Sequence, residues 1–244
     1  MKNVLITGAG RGIGRAIAKR LAYEKEYRIF INYNKSRDLA LALQNEIRDM
    51  GVDALAIQAD ISKREEVEQM FNEIENKFKG IDILINNAGI AKTSLFQDIS
   101  YNDWQDIFNV NVNGVFNTIH CALPYMLSKH SGKILNISSI WGANGASCES
   151  SYSATKGAID ALTKSLALEL APSGIMINAI APGAVNTDMM STYSKEDLEC
   201  VCNEIPICRI AEPEEIAESI AFLISDKNSY MTGQIIGVNG GFCV

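Results

Sequence analysis

Seven short apolar runs recur along the chain: Val4–Ile6, Ile29–Ile31, Ala54–Ile57, Ile81–Ile85, Ile134–Ile137, Ile175–Ile180 and Gln234–Val238. They are largely continuous where a half-exposed strand would alternate, which suits strands covered on both faces. Between them lie helical signals at Gly14–Lys25, Ser36–Met50, Ser62–Phe78, Ser100–His130, Ser151–Leu170 and Pro213–Leu223. Ser62 with Glu65 spells a capping box, and Pro213 followed by Glu214 and Glu215 makes a favourable first turn, with acid facing the helix dipole. Each helical stretch follows an apolar run.

Strand-then-helix order gives an α/β fold: a doubly wound, Rossmann-type parallel sheet of about seven strands with helices on both faces. Ligands then bind beyond the carboxyl ends of the strands, so the chemistry is expected just after the apolar runs. The 244 residues suit one large domain or two small ones. No linker, charge block or low-complexity tract divides them, so a single domain over residues 1–244 is expected.

The charge balance narrows the partners. With 22 Lys and Arg against 29 Asp and Glu, the net charge of −7 has the wrong sign for nucleic acid or an anionic membrane surface. The apolar run at Val4–Ile6 is too short for a signal-peptide core or a membrane span, so a cytoplasmic protein is expected. The six cysteines read as free thiols in that setting, since a chain of this size does not depend on disulfides. The two histidines and the Cys200, Cys202, Cys208 spacing match no common metal-ligand pattern, so no metal is expected.

After the first run comes Thr7-Gly8-Ala9-Gly10-Arg11-Gly12-Ile13-Gly14, opening into a helix. Glycines here let the backbone turn tightly and approach a pyrophosphate, which sits on the N–H groups of the helix terminus. The spelling is T-G-x-x-x-G-x-G; it is neither G-x-G-x-x-G nor a Walker loop. Such a turn also serves merely to pack a helix against a strand, but its place at the first strand-to-helix turn favours a dinucleotide. The second run leads to Asn32-Tyr33-Asn34-Lys35-Ser36-Arg37, with no acid before Asp38. A carboxylate here would accept from a ribose 2′-hydroxyl, whereas a 2′-phosphate prefers basic and hydroxyl donors. Arg11, Lys35, Ser36 and Arg37 supply those, which predicts NADPH; the alternative is that Lys35 and Arg37 are solvated helix-start residues.

Tyr152 and Lys156 stand at i and i+4 near a helix start, on one face. A tyrosine of ordinary pKa, about 10, is a sluggish base, and a neighbouring ammonium is expected to bring it toward the working range. The pattern alone is weak, and Tyr125 with Lys129 repeats it. Context separates them: Ser139 lies thirteen positions before Tyr152 at the end of an apolar run, whereas the same offset from Tyr125 reaches Val112, which has no hydroxyl.

Seven elements in order resemble the short-chain dehydrogenase/reductase family across essentially the whole chain: Thr7–Gly14, Asp60-Ile61, Asn86-Asn87-Ala88-Gly89, Asn111, Ser139, Tyr152 with Lys156, and Pro182-Gly183 leading to Thr187. The resemblance implies that Tyr152 donates a proton to a carbonyl oxygen and that Ser139 hydrogen-bonds the same oxygen. It implies that Lys156 tunes Tyr152 and holds the nicotinamide ribose, and that Asn111 positions a relay water. Gly8, Arg11, Gly12, Ile13, Gly14, Asn34, Lys35, Ser36, Asp60, Ile61, Asn87, Ala88, Gly89, Pro182, Gly183, Val185 and Thr187 would contact the cofactor, together with Tyr152 and Lys156.

Within the family the overall likeness is to β-ketoacyl-acyl-carrier-protein reductases, carried by Tyr230–Gly241 and Ile205–Ile216. Those reductases dock an acidic carrier with basic residues before the fifth and sixth strands, where this chain has His130 and Ser173; Cys208 also replaces a usual glycine. Ile140–Glu149, Asn34-Lys35-Ser36 and Val238–Gly241 resemble the reductase of an aminopentanone group on elongation factor P. There Glu149 would meet a cationic amine, or else its loop merely packs over the site. The substrate is thus a small-molecule or carrier-borne ketone. A non-catalytic dinucleotide sensor is the reading from another class, and the presence of all four catalytic groups opposes it. A substrate lid is expected between Asp188 and Ile205, and the family's homotetramer is expected from the long helices.

Overall fold

The computed structural model describes residues 1–191 and 193–243. One parallel sheet carries seven strands in the order β3-β2-β1-β4-β5-β6-β7. They are β1 Lys2–Ile6, β2 Tyr27–Tyr33, β3 Ala54–Gln58, β4 Ile83–Asn86, β5 Gly132–Ile137, β6 Ile175–Pro182 and β7 Ile235–Val238. Strand order reverses between β1 and β4, which pair Val4 with Ile83 and Ile6 with Ile85. That is the switch point at which a crevice opens beyond the strand ends.

The continuous apolar runs are explained by two cores, one on each face. Val4 and Ile6 of β1 join a cluster with helices α1 (Gly12–Glu24), α2 (Arg37–Asp49) and α9 (Pro213–Ile224). Leu5, pointing the other way, joins α3 (Arg64–Phe78), α5 (Gly114–Lys129) and α7 (Ser150–Leu170). Alternate residues of a strand face opposite sides, so burying both demands an unbroken apolar run.

Two sequence expectations change here. Ser62 does not cap α3: its hydroxyl turns back to Asp60 Oδ1 at 2.7 Å, and the cap position falls to Lys63, with no side-chain bond. The Ser62 hydroxyl donates to the Asp60 carboxylate, a charged acceptor, and makes no bond to the N–H groups of the helix start. The stretch Ser100–His130 is not one uniform helix. It runs as α4 (Tyr101–Phe108), a π-helical turn at Asn109–Asn113, and α5.

The sequence reading also missed two short helices. α6 (Ile140–Asn144) is capped by Ser139, and α8 (Lys195–Glu204) by a reciprocal Ser194–Asp197 box. The expected lid stretch thus contains a 3₁₀ turn at Asp188–Met190 and α8; Thr192 lies outside the described residues. No described helix is long and apolar enough to cross a membrane.

Candidate active site

The glycine loop leaves β1 at the switch point and is clamped from β4. Thr7 Oγ1 accepts the N–H groups of Asn87 and Ala88, both at 3.0 Å, while Asn87 Nδ2 donates to Thr7 O at 2.9 Å and Gly8 O at 3.2 Å. Gly8 and Gly12 turn with φ of 62° and 54°, the left-handed region that a side chain resists. A Cβ on Gly14 would stand 2.5 Å from Asn87 Nδ2 and 2.8 Å from Gly8 O, so α1 can approach the clamp only without one. Ile13 packs onto the first core cluster.

Sequence reasoning passed over Asn32, which supports this loop from β2. Its Oδ1 accepts from Gly8 N–H at 3.3 Å and its Nδ2 donates to Ala59 O at 3.0 Å, bridging the ends of β1, β2 and β3. The signal was a polar residue closing an apolar strand. Beyond it, Asn34 and Lys35 are exposed, and Ser36 Oγ lies 2.7 Å from where a Gly10 Cβ would be. Arg11, on the facing turn, reaches Asp188 at 3.3 Å.

Asp60 sits at the end of β3. Burial pushes its pKa up, but hydrogen bonds from the Ser62 hydroxyl and N–H, joined by the Asn34 side chain, outweigh that and hold the carboxyl below its ordinary range. Ile61 is buried, its side chain against Gly114 and its carbonyl accepting from Asn117 Nδ2 at 3.0 Å. That side chain belongs to the core, leaving the backbone as the part able to meet a ligand.

On the other side of the switch point, three expected residues converge. A Cβ on Gly89 would lie 3.3 Å from Asn111 Oδ1 and 3.7 Å from Lys156 Nζ. Asn111, 1% exposed inside the π-turn, accepts from Ile90 N–H and donates to Ile90 O, each at 2.9 Å. Its amide also donates to Thr155 Oγ1 at 3.1 Å, and Thr155 is a further site residue that the sequence did not mark. Lys156, 5% exposed, donates to Ile137 O at the end of β5 at 2.7 Å and lies 5.4 Å from the centre of the Tyr152 ring.

Burial lowers the Lys156 ammonium to about 8, opposed by the charge of Asp160. Tyr152 departs from the sequence expectation. Burial raises it to about 12, opposed by the Ser139 hydroxyl and aided by the Glu149 charge. Desolvation of the phenolate dominates, and Tyr152 holds its proton at neutral pH. Ser139, one residue past Ser138 at the end of β5, accepts from Trp141 N–H at 3.2 Å.

The decoy pair sits elsewhere. Lys129 lies 5.1 Å over the Tyr125 ring but bonds Asp82, which precedes β4 and so marks the opposite, amino end of the sheet.

The remaining wall comes from β6. Gly183 N–H donates to Val238 O at 3.1 Å, and Val185 is buried and bridged to Ala211. Thr187 reaches back so that its methyl would stand 3.4 Å from a Gly12 Cβ. The segment from Pro182 to Thr187 therefore arches from the end of β6 to the glycine loop. Glycine turns that tolerate no Cβ, helix α1 opening without a side-chain cap at Arg11, and this closing arch fit an extended dinucleotide.

The comparisons agree with this geometry over nearly the full length. A family model described as enoyl-(acyl carrier protein) reductase matches residues 8–243. The 3-oxoacyl-[acyl-carrier-protein] reductase of Staphylococcus aureus (strain Mu50) is 45% identical over 240 residues, 98% of this chain and 97% of that protein. The protein of the same name from Aquifex aeolicus (strain VF5) is 41% identical over 238 residues, 97% of this chain and 95% of the other. An uncharacterized oxidoreductase of Bacillus subtilis (strain 168) is 42% identical over 242 residues, covering 99% and 98%. The family model and the relatives together span nearly the whole chain, and the chain belongs to the short-chain dehydrogenase/reductase family, oxidoreductases that bind a nicotinamide cofactor and act on keto and hydroxyl groups.

Proposed function

We propose that the chain is an NADPH-dependent 3-oxoacyl-[acyl-carrier-protein] reductase, converting a ketone to a secondary alcohol. The observation that carries this is the convergence of Gly89, Asn111 and Lys156 beside Tyr152, at the carboxyl end of a sheet whose first turn is a glycine cradle. The relatives' printed names supply the substrate class.

When bound, the nicotinamide supplies the hydride. The protein's part is to place the ketone oxygen and deliver a proton to it. Tyr152, with its phenol at about 12, keeps the proton until charge develops on that oxygen, and then donates it. The Ser139 hydroxyl stabilises the same oxygen by hydrogen bonding. The Lys156 ammonium, anchored on Ile137 O, offers its other N–H groups to a ribose and favours the phenolate left after transfer. Both amide hydrogens of Asn111 are engaged by Ile90 and Thr155, so a relay water to Lys156 would rest on its oxygens.

Arg11, Lys35 and Ser36 would take the 2′-phosphate, with Asn34 and Asp60 beside the adenine. Ile13, Gly14 and Gly8 would cradle the pyrophosphate, Asn87 to Gly89 would form the floor, and Pro182, Gly183, Val185 and Thr187 would hold the carboxamide. The chain would act as one unit, assembled as a homotetramer through exposed apolar side chains such as Phe116 on α5 and Leu168 on α7. A cytoplasmic location fits this role.

One observation favours a second substrate, the aminopentanone group on elongation factor P. Glu149, at the start of α7, accepts from Thr93 Oγ1 at 2.7 Å through one oxygen, and its other oxygen is buried without a partner. An ammonium arriving beside Tyr152 would satisfy it. The deciding experiment offers acetoacetyl thioesters on carrier protein or coenzyme A, and aminopentanone-modified elongation factor P, each with NADPH. Efficient use of the thioesters supports the first reading, and efficient use of the modified factor alone replaces it.

A further inference from the structure

The helix that places Ser139 is too short to hold itself. α6 has five residues, well below the length at which a helix is stable alone, so its position depends on what packs against it. Ser139 caps that turn. Its Oγ accepts from Trp141 N–H at 3.2 Å, which occupies a lone pair and leaves the hydroxyl's own hydrogen to be donated to a ketone oxygen. A shift of Trp141 therefore re-aims the Ser139 hydroxyl.

Two neighbours fix α6. One is α7: a Cβ on Gly142 would stand 3.0 Å from the Lys156 backbone, so the two helices meet closely there. The other is the segment after β7, whose Phe242 ring meets the Trp141 ring edge-on, with centroids 5.6 Å apart and planes at 70°. That segment is built to hold the ring. Asn239 Oδ1 accepts from Gly241 N–H at 3.0 Å, its Nδ2 donates to Cys243 O at 2.6 Å, and its carbonyl accepts from Phe242 N–H at 3.1 Å. A Cβ on Gly240 would stand 2.7 Å from the Ile207 side chain and one on Gly241 3.1 Å from Pro206, while Ile207 N–H donates to Gly240 O at 3.3 Å. Pro206 and Ile207 come just after α8, at the base of the expected lid stretch. Residues 239–243 thus join that base to the turn that carries Ser139.

We propose that Phe242 is a positioning residue for the reaction: it holds Trp141, and through the Trp141 N–H the Ser139 hydroxyl, in the orientation in which that hydroxyl meets the ketone oxygen. The inference rests on the role given to Ser139 above. An edge-to-face contact resists rotation of the indole, and a fixed indole fixes the backbone N–H of its own residue in a turn that has few other supports.

The test is a double-mutant cycle on ketone reduction with Phe242→Ala and Ser139→Ala. Phe242→Ala alone is expected to lower kcat by about fivefold or more, with NADPH binding within about twofold of wild type. Phe242→Tyr, which keeps the ring, is expected to restore kcat to within about twofold of wild type. In the Ser139→Ala background the Phe242→Ala change is expected to cost less than about twofold, because the hydroxyl that the ring positions is gone. Nicotinamide-cofactor binding checks that Phe242→Ala is folded, and Phe242→Leu, which keeps apolar bulk and loses the ring, serves if it is not. An unchanged kcat, an equal loss in both backgrounds, or a loss that Phe242→Tyr leaves in place overturns the proposal. Ser139→Ala separates the two levels: near-normal turnover there refutes the site reading itself, whereas lost turnover in Ser139→Ala with an unchanged Phe242→Ala refutes this inference alone.

Discussion

Asn111 and Ile90 exchange a reciprocal pair of hydrogen bonds, side-chain oxygen to backbone N–H and side-chain amide to backbone carbonyl, each at 2.9 Å. The pair ties the π-turn to the strand-end loop that follows Gly89, and Thr155 joins it to α7. Replacing Asn111 with Ala removes three bonds from a buried position and strands the Ile90 groups. A loss of roughly 2–4 kcal/mol is expected in chemical denaturation, with turnover falling at least tenfold. Unchanged stability would mean that Ile90 finds other partners.

Tyr152→Phe keeps the ring and removes the proton. Turnover is expected to fall by about a hundredfold or more, with NADPH binding, followed by fluorescence titration, within about twofold of wild type. Because the ring centre lies 5.4 Å from Lys156, a variant retaining the ring leaves the lysine's surroundings in place.

The glycine cradle makes a contrasting prediction, a defect in binding with the chemistry intact. A Cβ on Gly14 meets Asn87 Nδ2 and the backbone of Gly8 and Ala9, none of them the free end of a flexible chain. Gly14→Ala is expected to force α1 away from β4 and weaken dinucleotide binding by at least tenfold, measured by calorimetry.

In the proposed site cofactor choice would turn on Ser36, which faces Gly10 across the first turn. Ser36→Asp would repel a 2′-phosphate and accept from a 2′-hydroxyl. The ratio of kcat/KM for NADPH over NADH is expected to drop by at least tenfold. A wild type that prefers NADH would contradict the assignment before any variant is made.

Lys156 gives opposite signs for activity and stability. Its folded pKa, about 8, lies below the ordinary 10.5, so between those values the unfolded chain binds more protons than the folded one. Its contribution to stability therefore rises with pH through that window, while activity falls with loss of the ammonium. Comparing unfolding of wild type and Lys156→Met at pH 7.5 and 9.5 should show the wild type gaining relative to the variant, over the range in which its turnover declines.

Much of this was legible in the residues, for a physical reason. A sheet buried on both faces writes itself as unbroken apolar runs, and the candidate site groups crowd where those runs stop, as Thr7, Asn87 and Ser139 do. Tyr152 was distinguishable from Tyr125 because only one of them follows a strand-end hydroxyl at the right offset. Local rules failed where a tertiary partner outcompeted them. Ser62 spelled a cap, but Asp60 took its hydroxyl. The lysine beside Tyr152 suggested a lowered phenol, whereas burial, which sequence does not display, raised it. α8 announced itself in Ser194 and Asp197, a capping pair as regular as any other, in a stretch otherwise read as lid.

The π-turn at Asn109–Asn113 has a consequence for how this helix tolerates change. A π-turn holds one residue more than an α-turn, so α4 and α5 run out of phase with each other, and each presents its own apolar side inward. Deleting one residue there would heal the backbone into a regular helix with α4 and α5 still facing the core, but would remove the widened turn that carries Asn111. The surplus residue acts as a phase shifter: the helices on either side of it support the core, and the widened turn between them presents Asn111 to Ile90.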